Sequence, residues 1–312
     1  MQLVVRSSWQ TCALLALAMT GCGDDGAGTV VVDGGIDGAH EAAREVIGTI
    51  DVYEQRYVYI DEGPPQENLW SNVRAAFHDG GAPRWHREVA RAGACVLKRY
   101  TPSSCEPACT DGLCVETNVC ERVPALVAAG RMVVRGLTVG LRIAGIDGYY
   151  YPDGALPADL FADNATISAE ISGGGGLPGF TVSTSAVPPL RGAILGGKLV
   201  LVFGNDATVR WTPAAGASRV RLTLNSNNLG HGQPFLGIIE CDVADAAGEI
   251  TIDQSLMDAF PETQAWRICA GTDCPPSTLR RYHRATFPVG DRDIELIVAS
   301  EIAFGVDHIL PD

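Results

Sequence analysis

Carboxylates recur through one stretch of the chain, IDGYYYPDGALPADLFADNATIS, which spans residues 146–168. Hard cations such as Ca²⁺ take several oxygen ligands, and a loop with spaced aspartates can supply them. The stretch lacks the alternation of an EF-hand loop, so a solvated acidic loop is the competing interpretation. If a metal binds this chain, we expect Ca²⁺ at four aspartates: Asp147, Asp153, Asp159 and Asp163.

Aromatic residues lie in and near the same stretch. Tyr149, Tyr150 and Tyr151 are consecutive, so on a strand they project to both faces and at least one is expected to be accessible. Together with Trp70 and Trp85 they offer flat faces for stacking on sugars or aromatic partners. Core packing with an ordinary edge tyrosine is the competing interpretation.

Motifs for catalysis are absent from the sequence. His78 and Asp79 precede two glycines and His86 follows, a grouping that could hold zinc or act as a base, although scattered surface histidines are the favoured explanation. No serine has the GxSxG context, and no glycine-rich loop carries the Lys-Ser/Thr of a phosphate site. We therefore expect no catalytic site.

The amino terminus predicts export. Arg6 precedes an apolar run, residues 11–20, that is too short to span a bilayer and is typical of a signal peptide over residues 1–21. The run ends in Met19-Thr20-Gly21-Cys22, which resembles the lipobox of bacterial lipoproteins. That resemblance implies that Cys22 carries acyl chains such as palmitate. Ordinary secretory cleavage, leaving Cys22 a spare thiol, is the alternative.

Two or three acyl chains, at ~0.8 kcal/mol per buried methylene, would make this membrane anchor effectively permanent. Residues 22–44 are rich in Gly and Asp and have no amphipathic pattern, which predicts a lipidated flexible tether. The expected location is the cell envelope, on the outer membrane.

Eight of the ten cysteines remain for the folded body once Cys12 leaves with the signal peptide and Cys22 takes the lipid. An even number in an exported chain predicts disulfides. The cluster at residues 105–120 is crowded with Pro, Gly and polar residues, which favours a small disulfide knuckle over a four-cysteine zinc site. Five cysteines precede residue 121 and three follow residue 240, so complete pairing requires a bond between the two halves: Cys95, Cys105, Cys109, Cys114, Cys120, Cys241, Cys269 and Cys274.

The charge excludes general nucleic-acid binding. The 312 residues carry 23 basic and 37 acidic side chains, a formal net charge of −14, and no basic block occurs. Phosphate backbones require clustered Lys and Arg. We expect no nucleic acid among the partners, and contact with the membrane through the lipid alone.

The elements that must position these residues are short β-rich runs cut by turn residues. They predict an all-β fold with two antiparallel β-sandwich-like lobes, a disulfide-rich knuckle at 95–120 and one short helix in DQSLMDAFPE. A break near residue 190 divides the body into domains at 45–190 and 191–312. The predicted strands cover 47–60, 72–77, 131–139, 166–172, 180–185, 198–203, 208–213, 218–226, 236–243, 248–253 and 293–304. Residues 83–94 fit either a helix or a strand.

The segments AAGRMVVRGL, LPGFTVST, ATVRWTPAAGASRVRLTL and IIECDVADAAGEITI, with the lipobox and tether, resemble uncharacterised Cys-containing β-rich lipoproteins of myxobacteria. The similarity covers most of residues 90–260. It implies a β protein of the cell envelope and implies no reaction.

We therefore expect a lipoprotein with a binding or structural role, whose partner is an envelope protein or a polysaccharide. The alternative is a carbohydrate-active or metal-assisted hydrolase that uses clustered loop carboxylates, with Asp153 and Asp163 first among them. A third class is a docking module that works through exposed strand edges.

Overall fold

A computed structural model describes six ranges of the chain: residues 44–59, 66–82, 85–101, 103–226, 235–261 and 277–309. The predicted signal peptide, Cys22, nearly all of the tether, Cys269 and Cys274 lie outside these ranges. Within them the fold is all-β, with a disulfide-rich region and one short helix, which confirms the predicted class.

The elements in chain order are β1 (Glu45–Tyr59), β2 (Gln66–Phe77), β3 (Arg87–Ala92), β4 (Cys95–Arg99), β5 (Gly112–Glu116), β6 (Val119–Arg122), β7 (Arg131–Arg135), β8 (Leu141–Ala144), β9 (Tyr149–Tyr150), β10 (Thr166–Ile171), β11 (Phe180–Ser185), β12 (Lys198–Val202), β13 (Ala207–Arg210), β14 (Arg219–Asn225), β15 (Gly237–Ala244), β16 (Glu249–Ile252), α1 (Gln254–Ala259), β17 (Ser277–Val289) and β18 (Arg292–Ile309).

One ten-stranded sheet forms the centre of the molecule. Its order is β3-β4-β15-β14-β17-β18-β1-β2-β9, and β12 also pairs with β18. Neighbours run antiparallel except for two parallel pairs, β1 with β18 and β12 with β18. Strands from both sides of residue 190 therefore share this sheet.

Three smaller sheets surround the central one. Four strands form a sheet in the order β11-β10-β7-β8, β13 pairs with β16, and β5 pairs with β6 in the cysteine knuckle. In the described part of the chain, β8 is thus the outermost strand of the four-stranded sheet.

Two hydrophobic cores lie on one face of the central sheet. The first is enclosed between the central and four-stranded sheets and includes Ile50, Val134 and Phe180. The second lies under β13, β16 and α1 and includes Trp211 and Met257. The β17–β18 hairpin supplies side chains to both cores, so it joins the two sandwich-like lobes.

Local patterning explains most of these elements. Val220, Leu222 and Leu224 are buried in β14 while Arg219 and Arg221 lie on the opposite face, as their alternation predicts. Each of the eleven predicted runs contains a strand. No helix in the described ranges is long and apolar enough to cross a membrane.

The predicted helix is confirmed as α1. The side chain of Asp253 accepts a hydrogen bond from the amide of Ser255, and Leu256 and Met257 are buried. The ambiguous segment 83–94 resolves as a strand, because β3 pairs with β4 there.

Candidate functional site

Three disulfides are present among the described cysteines. Cys105–Cys114 and Cys109–Cys120 close the knuckle, which confirms its prediction and leaves no thiolate there for a zinc site. Cys95–Cys241 links β4 to β15 and so joins the two halves of the chain. The pairing of Cys269 and Cys274 lies outside the described residues.

The four candidate calcium ligands are all exposed and lie in different places. Asp147 occupies a tight turn between Ile146 and Tyr149, with φ of 49°. Among the described residues, no three carboxylates bring their oxygens within 4.8 Å of one another. The calcium site stays a prediction from sequence, without a shared coordination geometry. The remaining three aspartates are Asp153, which lines a groove, and Asp159 and Asp163, which lie near Glu54.

The three consecutive tyrosines divide between the interior and the surface. Tyr150 is buried against Phe77 and donates a 2.9 Å hydrogen bond to the carbonyl of Gly130. Tyr149 and Tyr151 project outward and are half exposed. Two faces suitable for stacking therefore remain accessible.

Trp70 and Trp85 lie near opposite ends of the central sheet. Trp70 in β2 meets Tyr53 edge-on at 5.6 Å, and Trp85 precedes β3 and meets Tyr100 at 6.2 Å. Both indoles keep about two fifths of their surface exposed. They do not form one aromatic cluster with the tyrosines.

The histidine and aspartate grouping does not assemble into a site. The ring Nε2 of His86 lies 2.7 Å from the carbonyl of Phe235. Asp79 accepts two hydrogen bonds from Arg122, at 2.8 and 2.9 Å, which lower the pKa of its carboxyl. The carboxylate therefore anchors the knuckle to the end of β2.

An open groove lies between the β7–β8 hairpin and the segment at residues 151–156. Its volume is about 810 Å³. Val139, Ile146 and Tyr151 line it with apolar surface, and Ile146 and Tyr151 are 50% and 49% exposed. Exposed apolar groups gathered in a groove mark an interaction site more often than single surface residues do.

Charged side chains complete the groove. Arg142 and Asp153 both line it, and neither makes an ion pair with a residue in the described ranges. Arg135, by contrast, is paired with Glu170 at 3.2 Å. The groove thus offers one guanidinium and one carboxylate for a ligand.

A second, smaller cavity of about 260 Å³ contains Glu54 and Glu301. The Glu54 carboxylate accepts hydrogen bonds from the amides of Leu160 and Phe161 at 2.7 and 3.2 Å. Burial raises its pKa, those two hydrogen bonds oppose the shift, and the charges of Asp159 and Asp163 add to it.

Glu301 belongs to a charged network on the opposite face of the central sheet. Burial raises the pKa of its carboxyl, and Arg280 opposes that shift. Arg280 also bonds Asp51 at 2.6 Å, and Asp51 in turn accepts from Arg74 at 3.0 Å. Both guanidinium carbons lie 5.3 Å from the centre of the Tyr53 ring.

Sequence reasoning named Tyr151 as a stacking candidate and Asp153 as a metal candidate, and it did not name Arg142 or Glu54. The signal for Glu54 was its position in the strand alternation, because it follows Ile50 and Val52 on the buried face of β1. A carboxylate at a core-facing position indicates a specific partner. No signal in the sequence marked Arg142 as a residue of the groove.

Comparison with known proteins gives no family for this fold: no protein-family model matches the chain, and no curated protein matches it.

Proposed function

We propose that this protein is an exported lipoprotein that binds an extended partner in the groove beside β8. The observation that carries the proposal is the groove itself, where exposed Ile146 and Tyr151 lie beside Arg142 and Asp153, which form no ion pair within the described ranges. Convergent apolar and polar groups in a concave surface are typical of binding sites.

The location at the outer membrane of the cell envelope belongs to the same proposal. It is supported by the lipobox at Cys22 and by the three disulfides, since disulfides persist in oxidising compartments. The partner is an envelope polymer, either protein or polysaccharide, because the open groove suits a chain rather than a small enclosed ligand.

Site-specific photo-cross-linking in producing cells tests the proposal. A benzophenone amino acid at position 151 is expected to form an adduct with the partner, whereas the same group at exposed Val89 in β3 forms none. The adduct should disappear when Ile146→Asp changes the apolar wall of the groove. Equal labelling at positions 151 and 89, or none at 151, would reject the groove as the binding surface.

A hydrolase remains the second candidate, because Glu54 lines a cavity of about 260 Å³ and burial raises the pKa of its carboxyl. A general acid requires a carboxyl whose pKa is raised, because it then keeps its proton to higher pH. Incubation with envelope polysaccharides tests it: hydrolysis that falls by roughly 100-fold or more in Glu54→Gln would favour the enzyme. Unchanged polysaccharide with the wild-type protein would dismiss it.

A further inference from the structure

Among the described strands, β8 pairs with β7 alone, so it has one paired edge and one free edge. The groove with Tyr151 lies beside it. The four residues of β8, Leu141–Ala144, include no proline and one charge, and the pairing with β7 has no bulge. Prolines and bulges are among the features that protect the edges of natural sheets, and β8 has neither. The opposite edge strand, β11, is approached by His283, whose Nδ1 lies 2.9 Å from the carbonyl of Ser185.

The backbone direction in β7 can be read from its other neighbour. The amide of Ser172 donates to the carbonyl of Arg131 over 3.0 Å, so the polar groups of Arg131 face β10. Successive residues of a strand direct their N–H and C=O groups to opposite sides. Met132 and Val134 consequently direct theirs toward β8.

The same alternation fixes β8. Ile143 and Leu141 stand opposite Met132 and Val134 and exchange hydrogen bonds with them. Arg142 and Ala144 are left directing their N–H and C=O groups away from β7, toward the free edge. Both residues are exposed.

We propose that β8 pairs with an extended polypeptide segment, which becomes a fifth strand of the β11-β10-β7-β8 sheet. This inference rests on the proposed function and names its partner. The free groups of Arg142 and Ala144 repeat every second residue, about 6.6–6.8 Å, which is the repeat of a peptide strand. Strand addition takes its affinity from such main-chain bonds and its specificity from side-chain contacts.

The groove also defines the segment. Arg142 has no acidic partner in the described ranges, so an acidic side chain of the segment pairs with it across the strands. The neighbouring side chains of the segment that turn to the groove wall are apolar, since they meet Ile146 and Tyr151.

Two substitutions of Arg142 distinguish the contribution of its backbone to peptide binding from that of its side chain. Arg142→Ala removes the charge and keeps the free N–H, whereas Arg142→Pro removes both and leaves the β7–β8 hydrogen bonds intact. Proline is tolerated on edge strands because only the outward donor is lost. A thermal melt of each variant controls for folding.

The probe is a set of short peptides selected from a random phage-displayed library on the full chain in detergent micelles. Their binding, measured by fluorescence anisotropy, is expected to be roughly tenfold weaker to Arg142→Pro than to Arg142→Ala. N-methyl groups on every second amide of the peptide should abolish binding when those amides face β8. The same groups on the other set of amides should leave binding unchanged. The N-methyl series keeps the test decisive if Arg142→Pro fails to fold.

Equal binding to the two variants, or tolerance of N-methyl groups on both sets of amides, would overturn strand addition. So would failure to select any peptide while the position 151 adduct proves to be a polysaccharide. In that last case the groove remains a binding site and only the partner class is wrong. Loss of both the adduct and peptide binding would instead remove the proposed function.

Discussion

At the scale of single residues, the most constrained group is the buried ion pair of Arg281 and Asp245. Their side chains are 2% and 1% exposed, and Nε of Arg281 lies 3.0 Å from Oδ2 of Asp245. Arg281 also donates to the carbonyls of Pro188, Pro189 and Thr212. The guanidinium therefore holds the connection between the two lobes against β17.

Replacement of Arg281 by methionine is expected to destabilise the protein by about 3–5 kcal/mol, because it leaves the Asp245 carboxylate buried without its cation. Urea unfolding measures the change. The control is Arg210→Met, which breaks the exposed pair with Glu249 and should cost less than ~1 kcal/mol. Similar costs for the two variants would contradict the role of the buried pair.

Glu54 predicts a particular pH dependence. Because burial raises its pKa in the folded state above the unfolded value, the folded protein holds this proton more tightly. Its contribution to stability is therefore greatest at low pH and declines as pH rises from the unfolded pKa, about 4.3, through the folded pKa. Glu54→Gln should remove this decline. The free energy of unfolding of the variant, measured across that pH range, should therefore fall less than that of the wild type. Parallel profiles would contradict it.

The sequence predicted residue types better than residue partnerships. Tyr149 and Tyr151 were identified by alternation alone, which is a local property. The exposure of Arg142 and the burial of Arg281 depend on strands distant in the chain, so composition and spacing carried no sign of them. The four aspartates illustrate the limit, since nearness in sequence does not by itself place their carboxylates at one point, and no three carboxylates of the described residues converge.

At the scale of elements, Cys95–Cys241 is the described disulfide whose removal should lower the free energy of unfolding most. It ties β4 to β15 across 146 residues, and chain entropy assigns such a loop about 5 kcal/mol. The double variant of Cys95→Ala with Cys241→Ala should lower the free energy of unfolding by ~2–5 kcal/mol. Chemical denaturation measures it.

The knuckle disulfide Cys105–Cys114 provides the comparison, because its two cysteines are only nine residues apart in the sequence and lie in a small exposed hairpin. Removing it should cost less, about 2–3 kcal/mol at most. A larger loss from the knuckle variant than from the Cys95–Cys241 variant would refute this ranking.

Strand positions were largely predictable and strand order was not. Alternation identified β14 and the long segments of β1 and β18. β17 was missed because Arg280, Arg281 and Arg284 interrupt its apolar pattern, and the structure shows that each has an acidic partner. The parallel pairing of β1 with β18 joins distant segments, which no local pattern encodes.

At the scale of the whole molecule, the intact mass of the mature protein tests the compartment. The expected mass begins at Cys22, carries the added acyl chains and lacks two hydrogens for each disulfide. Cys22→Ser should release the protein from the membrane fraction into the soluble fraction. A full-length, unmodified chain with free thiols would contradict export and lipidation together.

The placement of β1 beside β18 has a consequence for biogenesis. β1 emerges early from the ribosome, yet one of its two neighbours, β18, follows almost all of the remaining sequence. Pairing across so long a separation is slow, and until it happens Ile50 and Val52 sit in a strand with an open side. On the proposed export route, the polypeptide should therefore cross the translocation channel unfolded and depend on a holding chaperone until β18 arrives.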